Sequence, residues 1–293
     1  MSATKPLTIK QCLADAESLL TSPKSQSQQD AAKLEAEVLL AFTLNKPRSY
    51  LYTWPEQEIN IAQQNQFNSL LERRCAGEPV AYMTGVREFW GLNLKVSPAT
   101  LIPRPETERL VEIALSYIPE NEAVRVADLG TGSGAIALAI ASERPMASIV
   151  ATDISDAALA VARENLTTHG LSNVRLHQGH WFDALYSSDE ARSQFNFIVA
   201  NPPYVAEGDP HLHQGDLRFE PAMALSSGED GLNDLRTIIQ NATQHLAKGA
   251  HLLLEHGYDQ ARVVGDLFDK SGYSEVQCFS DYSARERATI GRW

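Results

Sequence analysis

The sequence predicts an α/β protein: a mostly parallel sheet with helices on both faces, closed by a C-terminal antiparallel hairpin and preceded by a small N-terminal helical bundle. Three observations support this. Residues 1–85 have apolar positions at helical spacing and no alternating strand pattern of any length. After residue 120, short apolar runs alternate with helical segments. The last two runs flank a short polar turn, which favours antiparallel pairing.

The first domain, residues 1–85, is predicted to be helical. Thr8 can cap its first helix, because a threonine hydroxyl accepts a hydrogen bond from the first turn. A polar stretch over residues 21–29 is predicted to be a loop. Helical spacing of apolar residues predicts three helices, over residues 9–20, 31–44 and 63–76.

Residues 86–105 are predicted to link the two domains through a hairpin. Residues 89–96 alternate in polarity and predict one strand of it. Pro98, Pro103 and Pro105 then interrupt regular structure.

The second domain, residues 106–293, begins with a predicted helix over residues 106–117. Apolar runs predict five strands, over residues 124–129, 148–152, 174–177, 195–200 and 251–255. Helical segments over residues 135–142 and 156–169 lie between the first three. Residues 275–279 and 287–292 form the predicted final hairpin.

Composition restricts the classes of partner. The 293 residues contain 25 Lys and Arg against 37 Asp and Glu, a formal charge of −12. Proteins that bind nucleic acid through its phosphates usually carry a basic surplus, so no direct nucleic-acid binding is expected. No apolar run is long enough to cross a membrane, and we expect a cytoplasmic monomer.

Neither the cysteines nor the histidines predict a metal site. Cys12, Cys75 and Cys278 are far apart and form no CxxC pair, so we interpret them as small buried apolar residues. His211 and His213 have an H-x-H spacing but no cysteine nearby, and solvated side chains are the preferred interpretation.

A glycine-rich turn follows the first strand of the second domain. In Asp128–Ala135, glycines at alternate positions let a ligand approach main-chain amides at a helix start. Asp153 ends the second strand, where a carboxylate can accept both hydroxyls of a ribose. Together they indicate an adenosine-containing cofactor. A dinucleotide enzyme, a purely structural turn, and a helix-capping role for Asp153 are the alternatives.

Asn201-Pro202-Pro203-Tyr204 ends the fourth apolar run. In a doubly wound sheet this strand end faces the first, so the tetrapeptide should border the glycine-rich turn. It offers acceptors, the Asn201 side-chain oxygen and the Pro202 carbonyl, together with the ring of Tyr204. Two acceptors and a ring suit a planar NH2 group, whose orientation they would fix toward an electrophile. The alternative is an ordinary loop breaker.

With these residues, the sequence resembles the peptide chain release factor glutamine methyltransferases, the PrmC/HemK family. The tetrapeptide and the glycine-rich turn are similar to S-adenosylmethionine-dependent amino-methyltransferases in general, and the tetrapeptide also occurs in DNA adenine methyltransferases. The specific part is Gly85–Glu108, supported by Arg218-Phe219-Glu220-Pro221. The resemblance covers essentially the whole chain.

The resemblance implies a seven-stranded, Rossmann-like methyltransferase domain and methyl transfer from S-adenosylmethionine, without a metal, leaving S-adenosylhomocysteine. The acceptor would be the glutamine amide nitrogen in the Gly-Gly-Gln motif of class-I release factors, which would modulate translation termination. The helical domain would recognise this protein substrate.

The family pattern also implies the site residues. Those lining the methionine and ribose portions of the cofactor would be Gly130, Thr131, Gly132, Ser133 and Gly134. Asp153 would hold the ribose hydroxyls and Trp181 would lie beside the adenine. Asn201, Pro202 and Tyr204 would be the catalytic residues. Asn201 would border the cofactor and, with Pro202, bind the amide, while Pro203 and Tyr204 complete the substrate site.

One position departs from the family pattern. Relatives often carry an acidic residue just before the tryptophan, whereas this chain has His180. Asp183 is expected at the surface rather than in that role. Three rival functions are an adenine methyltransferase acting on a flipped base, a non-catalytic adapter and a nicotinamide oxidoreductase. The low basic content argues against the adenine methyltransferase, and the intact cofactor motif argues against the adapter. A nicotinamide oxidoreductase would leave the Asn-Pro-Pro-Tyr sequence unexplained.

Overall fold

A computed structural model describes residues 6–21, 26–186 and 194–293. The chain divides into two compact units, Met1–Gly85 and Val86–Trp293. The prediction of an α/β protein with a helical N-terminal region is confirmed. No helix in the described part of the chain is long and apolar enough to span a membrane.

The regular structure of the first unit, within its described residues, consists of helices apart from one isolated β-bridge between Thr8 and Glu58. Its helices are α1 Ile9–Leu20, α2 Gln26–Leu44, α3 Arg48–Thr53, α4 Ile61–Cys75 and α5 Val80–Thr84. Thr8 caps α1, as predicted, and accepts a hydrogen bond from the Gln11 N–H. Apolar side chains of these helices form one buried core that includes Ile9, Leu39, Leu40 and Phe67.

Two expectations for this unit are wrong. The loop predicted over residues 21–29 lies partly outside the described residues, and α2 already begins at Gln26, because glutamine has a good helix propensity. Cys12 is buried as expected, but Cys75 is exposed, since it is the last residue of α4 and lies beyond the buried turn of Leu70 and Leu71.

The second unit opens with a hairpin of β1 Val86–Phe89 and β2 Leu92–Lys95, paired antiparallel. The prediction of one strand over residues 89–96 is wrong, because the chain reverses inside that segment. Trp90 and Gly91 both have positive φ, 54° and 71°, the backbone that two-residue hairpin turns require.

A seven-stranded sheet forms the body of the second unit within the described residues. The strands are β3 Arg125–Leu129, β4 Ser148–Asp153, β5 Val174–Gln178, β6 Phe195–Ala200, β7 Leu246–Glu255, β8 Ser274–Ser280 and β9 Glu286–Arg292. Their order is β5-β4-β3-β6-β7-β9-β8, and only the pairings of β9 are antiparallel.

Helices cover both faces of this sheet. They are α6 Pro105–Tyr117, α7 Ala135–Glu143, α8 Asp156–His169, α9 Asp183–Tyr186, α10 Asn233–Ala242 and α11 Ala261–Lys270. Two separate buried clusters, one on each face, consist mainly of Val, Ile, Leu and Ala, the composition typical of strands buried on both sides.

The strand order places the site. β3 pairs in parallel with both β4 and β6, so the expectation that the fourth predicted strand neighbours the first is confirmed. The strand order therefore reverses between β3 and β6, and the carboxyl ends of these parallel strands lie at one edge of the sheet. Ligands of open α/β sheets bind at this kind of reversal.

Candidate active site

Asp128 holds the glycine-rich turn from beneath. Its Oδ2 accepts hydrogen bonds from the Thr131 hydroxyl at 2.6 Å and from the Ala137 N–H at 3.1 Å. Its Oδ1 is buried and meets no hydrogen-bond partner among the described residues. Burial raises the pKa of Asp128 to about 7, against the lowering effect of those two hydrogen bonds. Asp128 therefore joins the start of the turn to the first turn of α7.

Asp153 holds the same turn from the side. Its Oδ2 accepts from the Gly132 N–H at 2.8 Å, and its Oδ1 accepts from the Ser155 N–H at 2.9 Å. Burial raises the pKa of this carboxyl, although its bonds to backbone N–H groups oppose the rise. The residue that caps α8 is Ser155, whose hydroxyl accepts from the Ala158 N–H. Helix capping therefore does not explain Asp153.

A cavity of about 310 Å³ lies above this edge of the sheet. Of the predicted site residues, its walls include Gly130, Thr131, Gly132, Ser133, Asp153, Trp181, Asn201 and Pro203. Gly134, Pro202 and Tyr204 are not among the lining residues. The structure thus brings the glycine-rich turn, Asp153, Trp181 and Asn201 to one cavity, while Tyr204 faces the protein interior.

Trp181 closes one side of the cavity in a constrained position. Its backbone has φ 45°, and its indole Nε1 donates to Asp234 Oδ1 at 3.1 Å. A Cβ on Gly130 would lie 2.9 Å from Trp181 Cζ3, a separation that side chains do not adopt. The ring therefore packs directly on the backbone of Gly130, and only glycine fits there.

The position that departs from the family pattern also lies on the cavity wall. His180 is exposed, and its ring centroid lies 5.5 Å from that of Trp181. Asp183 is exposed and is not a lining residue, as expected. The carboxylate that this wall does carry is that of Asp234, at the start of α10.

Asn201 takes part in a chain of buried and half-buried polar groups. Its Nδ2 donates to Thr107 Oγ1 at 3.2 Å, and Thr107 Oγ1 donates to Glu255 Oε2 at 2.8 Å. Glu255 Oε1 accepts from the Tyr204 hydroxyl at 3.1 Å. The Gln260 Nε2 donates to the Tyr204 carbonyl at 2.9 Å and so fixes the tetrapeptide backbone as well.

Burial dominates the electrostatics of this chain of groups. Glu255 is 2% exposed, and burial raises its pKa to about 7, although the bonds from Thr107 and Tyr204 act in the opposite direction. Burial and the neighbouring Glu255 raise the pKa of Tyr204, which stays a neutral hydrogen-bond donor.

Two further contacts hold the loops around the cavity. Buried Glu220 accepts from the Ile102 N–H and pairs with Arg104, which joins the loop before α6 to the loop after β6. Buried Asn165 donates to the Ser133 carbonyl at 2.9 Å and to the Lys95 carbonyl at 3.0 Å. The hairpin therefore helps to position the glycine-rich turn.

The described residues contain no cluster of three or more His, Cys, Asp or Glu side chains suited to a metal ion. His211 Nδ1 lies 2.7 Å from Asp209 Oδ1 in an exposed loop, outside the cavity. This pair is compatible with the preferred interpretation of solvated histidines.

Sequence reasoning gave no site role to Thr107, Glu255, Asp234 or Asn165. For Glu255 a signal existed, because it ends a strand whose carboxyl end lies at the ligand edge. Thr107 lies in the family-specific segment Gly85–Glu108, but nothing there gave it a role, and no local pattern separates Asp234 or Asn165 from ordinary helix residues. Each of the three acts through a partner at least 32 positions away in the chain.

The chain is similar to known proteins over most of its length. The family model described as PrmC N-terminal domain matches residues 11–85, and the one described as Methyltransferase small domain matches residues 109–223. A release factor glutamine methyltransferase of Aliivibrio fischeri is 48% identical over 264 residues, 90% of this chain and 91% of that protein. One from Escherichia coli K12 is 46% identical over 264 residues, 90% of this chain and 93% of that protein.

A solved structure shares the fold. A methyltransferase from Pyrococcus furiosus has a TM-score of 0.51 and 18% identity, and the match covers 77% of this chain and 98% of that one.

Proposed function

The chain belongs to the release factor glutamine methyltransferases, and we therefore propose that it methylates the side-chain amide nitrogen of the glutamine in the Gly-Gly-Gln motif of class-I release factors. The observation that carries the proposal is the position of Asn201. Its side chain lines the same cavity as the glycine-rich turn and Asp153, so an amide held by Asn201 would lie beside a cofactor held by that turn.

The cavity suits S-adenosylmethionine as the methyl donor. Each oxygen of Asp153 accepts one backbone N–H, and a carboxylate oxygen has a second lone pair with which to accept a ribose hydroxyl. Gly130, Thr131, Gly132 and Ser133 would hold the methionine and ribose portions at the start of α7, and Trp181 would flank the adenine. When bound, S-adenosylmethionine supplies a methyl group activated by a sulfonium; the amide nitrogen gains this methyl group and loses one proton, and S-adenosylhomocysteine is the other product.

Asn201 orients the acceptor nitrogen in this proposal. A substrate amide presents two N–H donors, and its nitrogen is a weak nucleophile because its lone pair is delocalised. Acceptance of those hydrogens by Asn201 Oδ1 and the Pro202 carbonyl would aim the nitrogen at the methyl group and reduce its rotational freedom. Pro203 forms the adjacent wall, and Tyr204 supports the tetrapeptide through Glu255.

The apolar part of the wall favours the same reaction. Ile136, Pro203 and Met223 line the cavity with few charges. The sulfonium charge is dispersed as the methyl group moves, so a partly dry site stabilises that arrangement better than water does.

Incubation with labelled S-adenosylmethionine tests the function. We expect label to enter an intact class-I release factor and not a release factor whose motif glutamine is alanine. A DNA duplex is the third substrate, because the Asn-Pro-Pro-Tyr tetrapeptide also occurs in adenine methyltransferases. Label in DNA but not in the release factor would contradict the proposal.

A further inference from the structure

Thr107 lies between the tetrapeptide and the interior of the second unit. It is the third residue of α6, it is 4% exposed, and it borders the cavity. Its hydroxyl bonds to Asn201 on one side and to Glu255 on the other. Among the described residues, Thr107 is the one that connects the amide of Asn201 to a buried carboxyl group.

The direction of these hydrogen bonds follows from the chemistry of each group. A hydroxyl has one proton to donate, and Thr107 gives it to Glu255 Oε2 in the form of the carboxyl group in which that oxygen carries no proton. The Thr107 oxygen then has only lone pairs to offer Asn201, so it can accept a hydrogen bond but cannot donate one. The end of the Asn201 amide that lies against Thr107 is therefore its NH2 group and not its oxygen. The carbonyl oxygen of Asn201 points the other way, and no donor from the described residues meets it.

We propose that Thr107 is a positioning residue, which holds Asn201 with its carbonyl oxygen toward the cavity. The two ends of an asparagine amide are similar in size but opposite in hydrogen bonding. A rotated Asn201 would present N–H donors to the N–H donors of the substrate, and the substrate amide would not be held. This inference rests on the proposed function of Asn201.

Removal of the Thr107 hydroxyl should slow the chemical step. In Thr107→Val the shape is kept and the hydroxyl is lost, so Asn201 can adopt both orientations. We expect kcat on an intact release factor to fall about tenfold, the effect of one neutral hydrogen bond, with KM and the cofactor Kd nearly unchanged. Thr107→Ser restores the hydroxyl and should recover most of the rate.

Thr237→Val is the matched control. It makes the same change on α10, where the Thr237 hydroxyl donates to the Asn233 carbonyl and the residue does not line the cavity. Thermal unfolding of each variant monitors folding. If Thr107→Val does not fold, Thr107→Ala is used in its place, because the alanine side chain is smaller than threonine and fits the same space.

A double-mutant cycle decides between an indirect and a direct role. If Thr107 acts through Asn201, then Thr107→Val should have no further effect on the single-turnover rate in an Asn201→Ala background. Equal losses in both backgrounds would show a direct role for Thr107 and overturn the inference, as would a full rate for Thr107→Val alone. A full rate for Asn201→Ala alone would instead contradict the proposed role of Asn201, and no methylation of the release factor by the wild type would contradict the proposed function, so these failures are distinguishable.

Discussion

The backbone N–H of Gly132 donates a hydrogen bond to Oδ2 of Asp153 at 2.8 Å. The turn that would hold the methionine portion of the cofactor and the carboxylate that would hold its ribose are therefore one connected unit. Ser155 fixes the other oxygen of that carboxylate. A change at Asp153 consequently alters both a ligand contact and the support of the turn.

Asp153→Ala should weaken binding of S-adenosylmethionine. Loss of charge-assisted hydrogen bonds costs about 1.5–3 kcal/mol, or about 10- to 150-fold in Kd. Isothermal titration calorimetry measures the change. Asp156→Ala is the control, because Asp156 is an exposed carboxylate on α8 outside the cavity. Equal Kd values for both variants would mean that Asp153 has only a structural role.

Asn201→Ala should act on the chemical step. We expect kcat to fall by about 10²–10³, as for the loss of one positioned hydrogen-bonding group in other enzymes, while the cofactor Kd stays nearly unchanged. Single-turnover measurements on a release factor that carries the glutamine provide the rate.

Asn201→Asp is a finer test of the same residue. It keeps the size and the acceptor, but it adds a negative charge near the sulfonium, which stabilises the ground state before the positive charge disappears. It also removes the NH2 group that donates to Thr107. We expect partial activity with equal or tighter cofactor binding. Wild-type rates in both Asn201 variants would show that the tetrapeptide is only a structural turn.

Gly130→Ala should weaken cofactor binding because it displaces Trp181. The new Cβ would lie 2.9 Å from the indole, and the backbone there has φ 73°. Gly170→Ala is a matched control, since Gly170 has φ 65° and its Cβ would meet no atom within 4 Å. Both variants should lose about 1 kcal/mol or more of stability from backbone strain, measured by urea unfolding. Only Gly130→Ala should also weaken cofactor binding, whereas Gly170→Ala should bind the cofactor as the wild type does.

Glu255 should make stability depend on pH. Its folded-state pKa is raised from 4.5 to about 7, so the folded protein holds this proton more tightly than the unfolded chain. Its contribution to stability is complete below the unfolded value and is lost as pH rises to about 7. Glu255→Gln removes the titration, whereas Asp128, whose pKa is also about 7, titrates in both proteins.

We therefore expect the free energy of unfolding to fall more in the wild type than in Glu255→Gln when pH rises from about 5.5 to about 8. The difference should be about 2 kcal/mol, measured by urea unfolding at both values. An equal change in the free energy of unfolding for the two proteins would mean that the pKa of Glu255 is not raised in the folded state.

Removal of the first unit should affect substrate recognition rather than cofactor binding. We propose that residues 1–85 recognise the release factor, so a chain beginning at Val86 should bind S-adenosylmethionine and methylate intact release factor inefficiently. The truncation point follows the unit boundary, because Met83 belongs to the helical core of the first unit. Full efficiency on the intact factor would exclude this recognition role.

The sequence by itself determined the parts of this protein whose physics is local. A strand, a glycine-rich turn and a helix follow one another in the chain, so the spacing from Asp128 to Ala135 predicts the turn, and Asp153 at the end of the next strand follows from the same reasoning. To predict that Asn201 lies beside that turn, one general rule about strand order in doubly wound sheets was also needed. The parallel pairing of β3 and β6 follows this rule.

Only the tertiary structure decided which side chains hold these groups in place. Thr107 and Glu255 are separated by 148 positions, and Trp181 and Asp234 by 53. A hydrogen bond requires an approach of about 3 Å, and over such separations this depends on strand register and on helix packing against the sheet. Local polarity patterns do not contain that information. The sequence around a glutamate at a strand end is the same whichever threonine the fold brings to it.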